Sequence, residues 1–146
     1  MLLSIIIIIT ASVLCLIGLL HIYWVLGGTW GLQAAMPESY KADFFNESNK
    51  VIMNIATLTI AIGLLCFAYI ILSNLNLLYN ILPSNWTHKL TGIIGLIFFI
   101  RTIGDFKMFG LFKKKSDSLF AKKDSQIFIP ICLFLAASCF YIYFVV

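Results

Sequence analysis

Met1-Leu-Leu-Ser-Ile-Ile-Ile-Ile-Ile-Thr10-Ala-Ser-Val-Leu-Cys-Leu-Ile-Gly-Leu-Leu20-His-Ile-Tyr-Trp-Val-Leu-Gly-Gly-Thr-Trp30-Gly-Leu-Gln-Ala-Ala-Met-Pro37 holds no Asp, Glu, Lys or Arg, and His21 is its one strongly polar titratable group. The first charged residue is Glu38. Three further charge-free runs follow: Val51 to His88, Leu90 to Ile100 and Ser125 to Val146. Water does not solvate that much apolar surface, and 146 residues cannot hide it all in their own core. A lipid bilayer can. Composition agrees: 62% of residues are hydrophobic and 11% charged, against roughly 45–50% and 25% in soluble domains.

A helix crosses the hydrocarbon core with about 20 apolar residues. The runs therefore predict an all-α fold, a bundle of four transmembrane helices over roughly 3–26, 51–72, 86–106 and 126–146. Non-helical backbone is not tolerated against lipid, which favours helices throughout. The whole chain, 1–146, reads as a single integral membrane domain, with no internal repeat and no soluble catalytic domain. Gly27-Gly28 closes the first span, and Pro83-Ser84-Asn85 precedes the third. The first span lacks a basic n-region and a small-residue cleavage site, so it reads as a permanent helix and not a signal peptide.

Loop charge predicts the orientation. Eight of the ten basic residues fall in or beside the first and third loops: Lys41, Lys50, Lys107, Lys113, Lys114, Lys115, Lys122 and Lys123. The positive-inside rule places those loops in the cytoplasm and both termini outside, in a multi-pass protein of the plasma (inner) membrane. Trp24 and Trp30 then mark the inner boundary, and Tyr79, Trp86, Tyr141 and Tyr143 the outer one. Phe106 to Lys115 mixes bulky apolar residues with lysine and is expected along the inner headgroup layer. There each Lys near an anionic surface is worth about 1 kcal/mol. The net charge of +4 reads as a topology signal toward membrane lipids; no nucleic-acid partner is expected.

Four polar residues within the spans are informative: His21, Asn54, Arg101 and Asp105. All are expected in the cytoplasmic third. Arg101 and Asp105 are four apart and share a helix face, so they are expected to pair. An unpaired charge at the centre of a span costs about 2.5–3.5 kcal/mol on insertion scales. Each residue alone has a plainer explanation. Arg101 can snorkel to the headgroups, Asp105 can be its interfacial partner, His21 can end a helix, and Asn54 can join two helices. As a set they point to a polar pocket, walled by Tyr23, Trp24 and Trp30. No metal or cofactor is expected. His88 is predicted about 30 Å from His21 on the opposite face, and Cys15, Cys66, Cys132 and Cys139 form no C-x-x-C pair and read as small buried hydrophobes.

Three motifs stand out: His21-x-Tyr23-Trp24-x-x-Gly27-Gly28-x-Trp30-Gly31 with Pro37; Arg101-x-x-Gly104-Asp105-Phe106 with Gly110 and Phe112; and Phe120-Ala121-x-x-Asp124 with Pro130-x-Cys132. In this order they resemble a family of small four-helix bacterial membrane proteins known as a domain of unknown function. The resemblance covers nearly the whole chain. It departs mildly at Lys122-Lys123 and in the Lys- and Asn-rich first loop. It implies one shared constellation and brings no reaction, substrate or cofactor. Physically, the glycines allow a tight helix exit, and Pro130 is expected to bend the inner end of the fourth span.

Two functions compete. One is a membrane-embedded site that binds or acts on a lipid-like or amphipathic small molecule, with His21 as hydrogen-bond donor or acid/base, Arg101 as anion clamp and Asp105 as orienting carboxylate. The other is a structural or accessory protein that binds a partner protein. A transporter needs a mid-membrane ion site that is not apparent here, unless the chain oligomerises.

Overall fold

The computed structural model describes residues 1–36, 49–75, 83–104, 110–112 and 118–146. Among them there is no strand. The helices are α1 (Leu2–Val25), α2 (Leu32–Ala35), α3 (Lys50–Ser73), α4 (Ser84–Ile103), α5 (Leu119–Lys123) and α6 (Ile129–Val145). Between α5 and α6 a π-helical segment, Asp124–Phe128, keeps the chain continuous.

Three helices are long and apolar enough to cross a membrane: Leu2–Val25, Lys50–Ser73 and Leu119–Val145. They make the chain consistent with a multi-pass membrane protein. The predicted fourth span starts earlier than expected, at Leu119, because Ser118 caps the helix there: its Oγ accepts from Ala121 N at 3.0 Å. The expected third span is the shorter α4. It stops at Ile103, since Gly104 leaves the helix with φ +89°. Lys89 and Arg101 interrupt its apolar run.

α1 packs chiefly on α3, and α4 chiefly on α6; smaller contacts join α1 to α6 and α3 to α4. Close approach within each pair depends on small residues. On α1, Gly18 lies against Ala61 and Leu65 of α3. On α4, Gly92 lies under the Tyr143 ring, and Gly95 against Cys139 and Phe140. The shared core is Ile7, Leu14, Ala68, Ile71, Ile94, Phe98, Leu135 and Ile142 with their neighbours. Phe67 meets Phe98 edge-on at 6.4 Å, and Asn74 donates to Thr91 Oγ1 at 3.0 Å. Seven residues along α3 thus match seven along α4, an antiparallel pair in steady register. Continued, the register sets Arg101 opposite Leu64 and Ile103 opposite Ile62. The α1 register, from Gly18, sets His21 opposite about Ile60 and Trp24 opposite Thr57.

Hydroxyls on the long helices return to their own helix, as apolar surroundings demand. Thr10, Thr57, Ser73, Thr91 and Thr102 donate to the carbonyl four residues earlier at 2.7–2.9 Å. Among the described residues no buried side-chain nitrogen or oxygen lacks a partner.

Pro130 shapes the turn that precedes it. It has no N–H, and in an α-helix its ring clashes with the carbonyl four residues back. Here the preceding turn is widened instead, and Ile129 N reaches back to Asp124 O. The buried positions record the extra residue: Asp124 is followed by Ile129, then Leu135, Ala136, Cys139 and Ile142. Of the cysteines, Cys139 is buried as expected, Cys15 and Cys132 are half-buried, and Cys66 is exposed on α3.

Candidate functional site

The C-terminal ends of α1 and α4, the N-terminal half of α3 and the short α5 lie toward one end of the molecule. At its centre is an ion pair. Arg101 Nη2 donates to Asp124 Oδ1 at 3.0 Å. Asp124 is fully buried, while 31% of the Arg101 side chain is exposed. The second carboxylate oxygen, Oδ2, accepts from Gly110 N at 2.8 Å. A buried carboxylate needs such partners, since its desolvation cost is otherwise several kcal/mol.

The local sequence explains why Asp124 points inward. Phe120, Ala121 and Asp124 occupy positions i, i+1 and i+4 of one helix face, and all three are buried. The two apolar members seat the face; the carboxylate at its end meets Arg101. The short α2 packs on α5, with Leu32 buried near them.

Asp124 also holds the chain after α4. Gly110 N binds the carboxylate, and Leu111 N donates to Thr102 O at 3.0 Å. Gly110 has φ +92°, and a β-carbon there would collide with the backbone of Ile103 and Gly104. Only glycine fits both the left-handed conformation and the close approach. The Arg101 motif and the Phe120 motif are thus two halves of one closure.

The first motif builds the neighbouring exit from α1. Trp24 is buried and its Nε1 donates to Trp30 O at 2.9 Å. Gly28 N donates to Tyr23 O at 2.9 Å, and the Tyr23 ring covers Gly28 so closely that a β-carbon has no room. The Trp30 indole is 74% exposed. His21 Nδ1 lies 2.8 Å from Ile17 O; a carbonyl oxygen only accepts, so Nδ1 carries the proton of that contact and Nε2 is left for another partner. The His21 ring packs on Trp24, centroids 4.9 Å apart.

The predicted site residues are therefore placed as follows. His21, Tyr23, Trp24 and Trp30 form one local unit on α1 and its exit. Arg101 lies in a layer within about one turn of His21 by helix register, yet His21 bonds to its own helix and not to Arg101. Asn54 is half-buried on α3, and its side chain makes no hydrogen bond with a described residue. Asp105, the expected partner of Arg101, lies outside the described residues. The described partner is Asp124, which in the sequence belongs to the Phe120-Ala121-x-x-Asp124 motif and is not marked there as a site residue. A signal is present: Asp124 is the one acidic residue of the helix Leu119–Val145, with Phe120 and Ala121 on its face. Among the described residues no group of three His, Cys, Asp or Glu side chains is placed to hold a metal. Elsewhere, an open groove of about 340 Å³ on α1, lined by Ile8, Ala11, Ser12, Cys15, Leu16 and Leu72, is apolar and offers no chemistry.

No curated protein and no solved structure matches the chain. A family model described as a protein of unknown function (DUF3995) matches residues 14–139, from the middle of α1 almost to the end of α6 and across all three motifs. The chain belongs to that family.

Proposed function

We propose that this chain is a four-helix protein of the plasma membrane, with both termini outside and its first and third loops cytoplasmic, and that its Arg101 end binds an anionic, lipid-like amphiphile from the inner leaflet. The supporting observation is the Arg101–Asp124 geometry. A guanidinium anchored to a fully buried carboxylate, with a third of its side chain still exposed, is a pre-oriented cation of the kind a bidentate anion clamp needs. Trp24 and Trp30 supply an aromatic wall at headgroup level, and His21 Nε2 is an acceptor for a ligand hydroxyl. Lys122 and Lys123 in the last turn of α5 add positive field at the same end. No bond-making step is assigned.

A second reading has its own observation. Both oxygens of Asp124 are engaged, one by Arg101 and one by Gly110 N, so the pair also serves as a brace. Co-purifying lipid and thermal unfolding, measured together on detergent-solubilised Arg101→Lys, Asp105→Asn and Asp124→Asn proteins, separate the two. Lysine keeps the charge and loses the fork. Lost lipid with unchanged stability in Arg101→Lys supports the site. Full lipid content with lowered stability in all three supports the brace alone. Orientation is checked with an impermeant thiol reagent on intact cells: Ser84→Cys reacts and Ser116→Cys does not.

A further inference from the structure

Resting on the membrane reading above, we infer that the Arg101 end contains a water-filled vestibule, open at the Lys50 end of α3, that takes the oxyanion group of a ligand down to Arg101. The inward stripe of α3 is Asn54, Thr57, Ala61, Leu64, Ala68 and Ile71, at the spacing of one helix face. From Ala61 onward every member is buried. Before Ala61 none is: Asn54 and Thr57 are half-covered, and no residue from Lys50 to Ile60 is buried.

The helix register gives the reason. α4 stops opposite Ile62, so α3 runs on for twelve residues, about 18 Å at 1.5 Å per residue, with no α4 beside it. That distance exceeds half of a hydrocarbon core about 30 Å thick. The Arg101 guanidinium therefore lies far below the Lys50 end, and about a third of its side chain is exposed. An ionisable group at such depth faces protein or a water-filled cavity, not lipid.

The composition of the stripe changes where its cover ends. It is apolar from Ala61 to Ile71 and polar at Asn54 and Thr57. The Asn54 amide makes no hydrogen bond with a described residue, and His21 stands in the same layer across from Ile60. A face turned to hydrocarbon has no use for an amide and an imidazole acceptor; a face turned to water has. Helix register sets Asn54, Thr57, His21 and Arg101 around that space, and the Arg101 side chain, held by Asp124, is the cation that an anion meets there. Phosphate, carboxylate and sulfonate groups share the needed chemistry, whether free or carried on a lipid.

The test introduces Thr57→Cys, on the stripe, and Thr59→Cys, on the exposed face of the same helix, each into the full chain in vesicles. The reagents are a negatively and a positively charged methanethiosulfonate. Mass spectrometry assigns the modified cysteine among the native ones. Asn54→Cys is a second stripe position should Thr57→Cys unfold. The expected result is modification of Thr57→Cys about tenfold faster than Thr59→Cys, with a further gain for the negative reagent that Arg101→Gln abolishes. Equal rates at the two positions overturn the vestibule. An Arg101→Gln that leaves the charge preference unchanged overturns its anion-taking end. Protection by inorganic phosphate identifies a free anion, protection by phosphatidylglycerol but not phosphatidylcholine identifies a lipid headgroup, and protection by neither overturns the ligand. Should Thr57→Cys react as expected while Arg101→Lys keeps its co-purifying lipid, the vestibule stands and the lipid site falls. An unreactive stripe with lipid lost in Arg101→Lys overturns the vestibule alone.

Discussion

The two ends of the molecule solve the same problem, polar groups among apolar helices, by opposite means. At the end where α3 finishes and α4 begins, the described polar groups between the helices are neutral. Asn74 Nδ2 donates to Ile70 O, Ile71 O and Thr91 Oγ1 at 3.0–3.1 Å. Thr91 in turn donates to Thr87 O at 2.9 Å. His88 stacks on Tyr143, ring centroids 4.4 Å apart, and Lys89 sits over the Trp86 ring at the surface. At the other end a carboxylate is fully buried and a guanidinium is half-buried beside it. Neutral hydrogen bonds suffice to join helices. A buried ion pair adds a large desolvation cost that a neutral joint avoids. The end that bears this cost is where function is to be sought.

The difference can be broken most forcefully at Asp124. Asp124→Ala leaves Arg101 without its carboxylate and Gly110 N without its acceptor. Removing one partner of a buried pair costs about 3–5 kcal/mol, so thermal unfolding in detergent is expected to show a large loss. A loss as small as that of a surface substitution would make the two ends equivalent. Gly110→Ala comes next. It forces a β-carbon into a left-handed position against the Ile103 and Gly104 backbone, a strain of about 1–3 kcal/mol. The same unfolding measurement checks it, with lowered stability expected although no side-chain contact is removed. The smallest effect belongs to the neutral end. Asn74→Ala removes one interhelical hydrogen bond, and such bonds average about 0.6 kcal/mol within membranes. A loss at Asn74 that matches the loss at Asp124 would contradict the contrast.

The sequence makes the helices legible because charge is so scarce. The charge-free runs locate α1 and α3 to within a residue or two of their ends. The start of the last helix is missed because Lys122, Lys123 and Asp124 look like loop charge; the cap at Ser118 and the buried face of Phe120, Ala121 and Asp124 override that reading. The π turn is not legible either, since Pro130 signals a disturbance without saying whether the helix bends or widens. For the site, the choice of Arg101, His21, Tyr23, Trp24 and Trp30 follows from polarity and depth. Their grouping does not. His21 and Trp24 interact locally, and Arg101 meets a residue 23 positions away, a separation on which helical spacing is silent. Helical spacing points to Asp105, which lies outside the described residues, and says nothing of Asp124.

The most direct test of the account is a titration of the purified protein with phosphatidylglycerol and, separately, phosphatidylcholine, read by native mass spectrometry for wild type, Arg101→Lys and Asn74→Ala. Wild type is expected to prefer the anionic lipid, Arg101→Lys to bind it about tenfold more weakly at unchanged thermal stability because the bidentate fork is lost, and Asn74→Ala to bind it as wild type does. Equal affinity in wild type and Arg101→Lys would contradict the account and reduce the charged end to a brace.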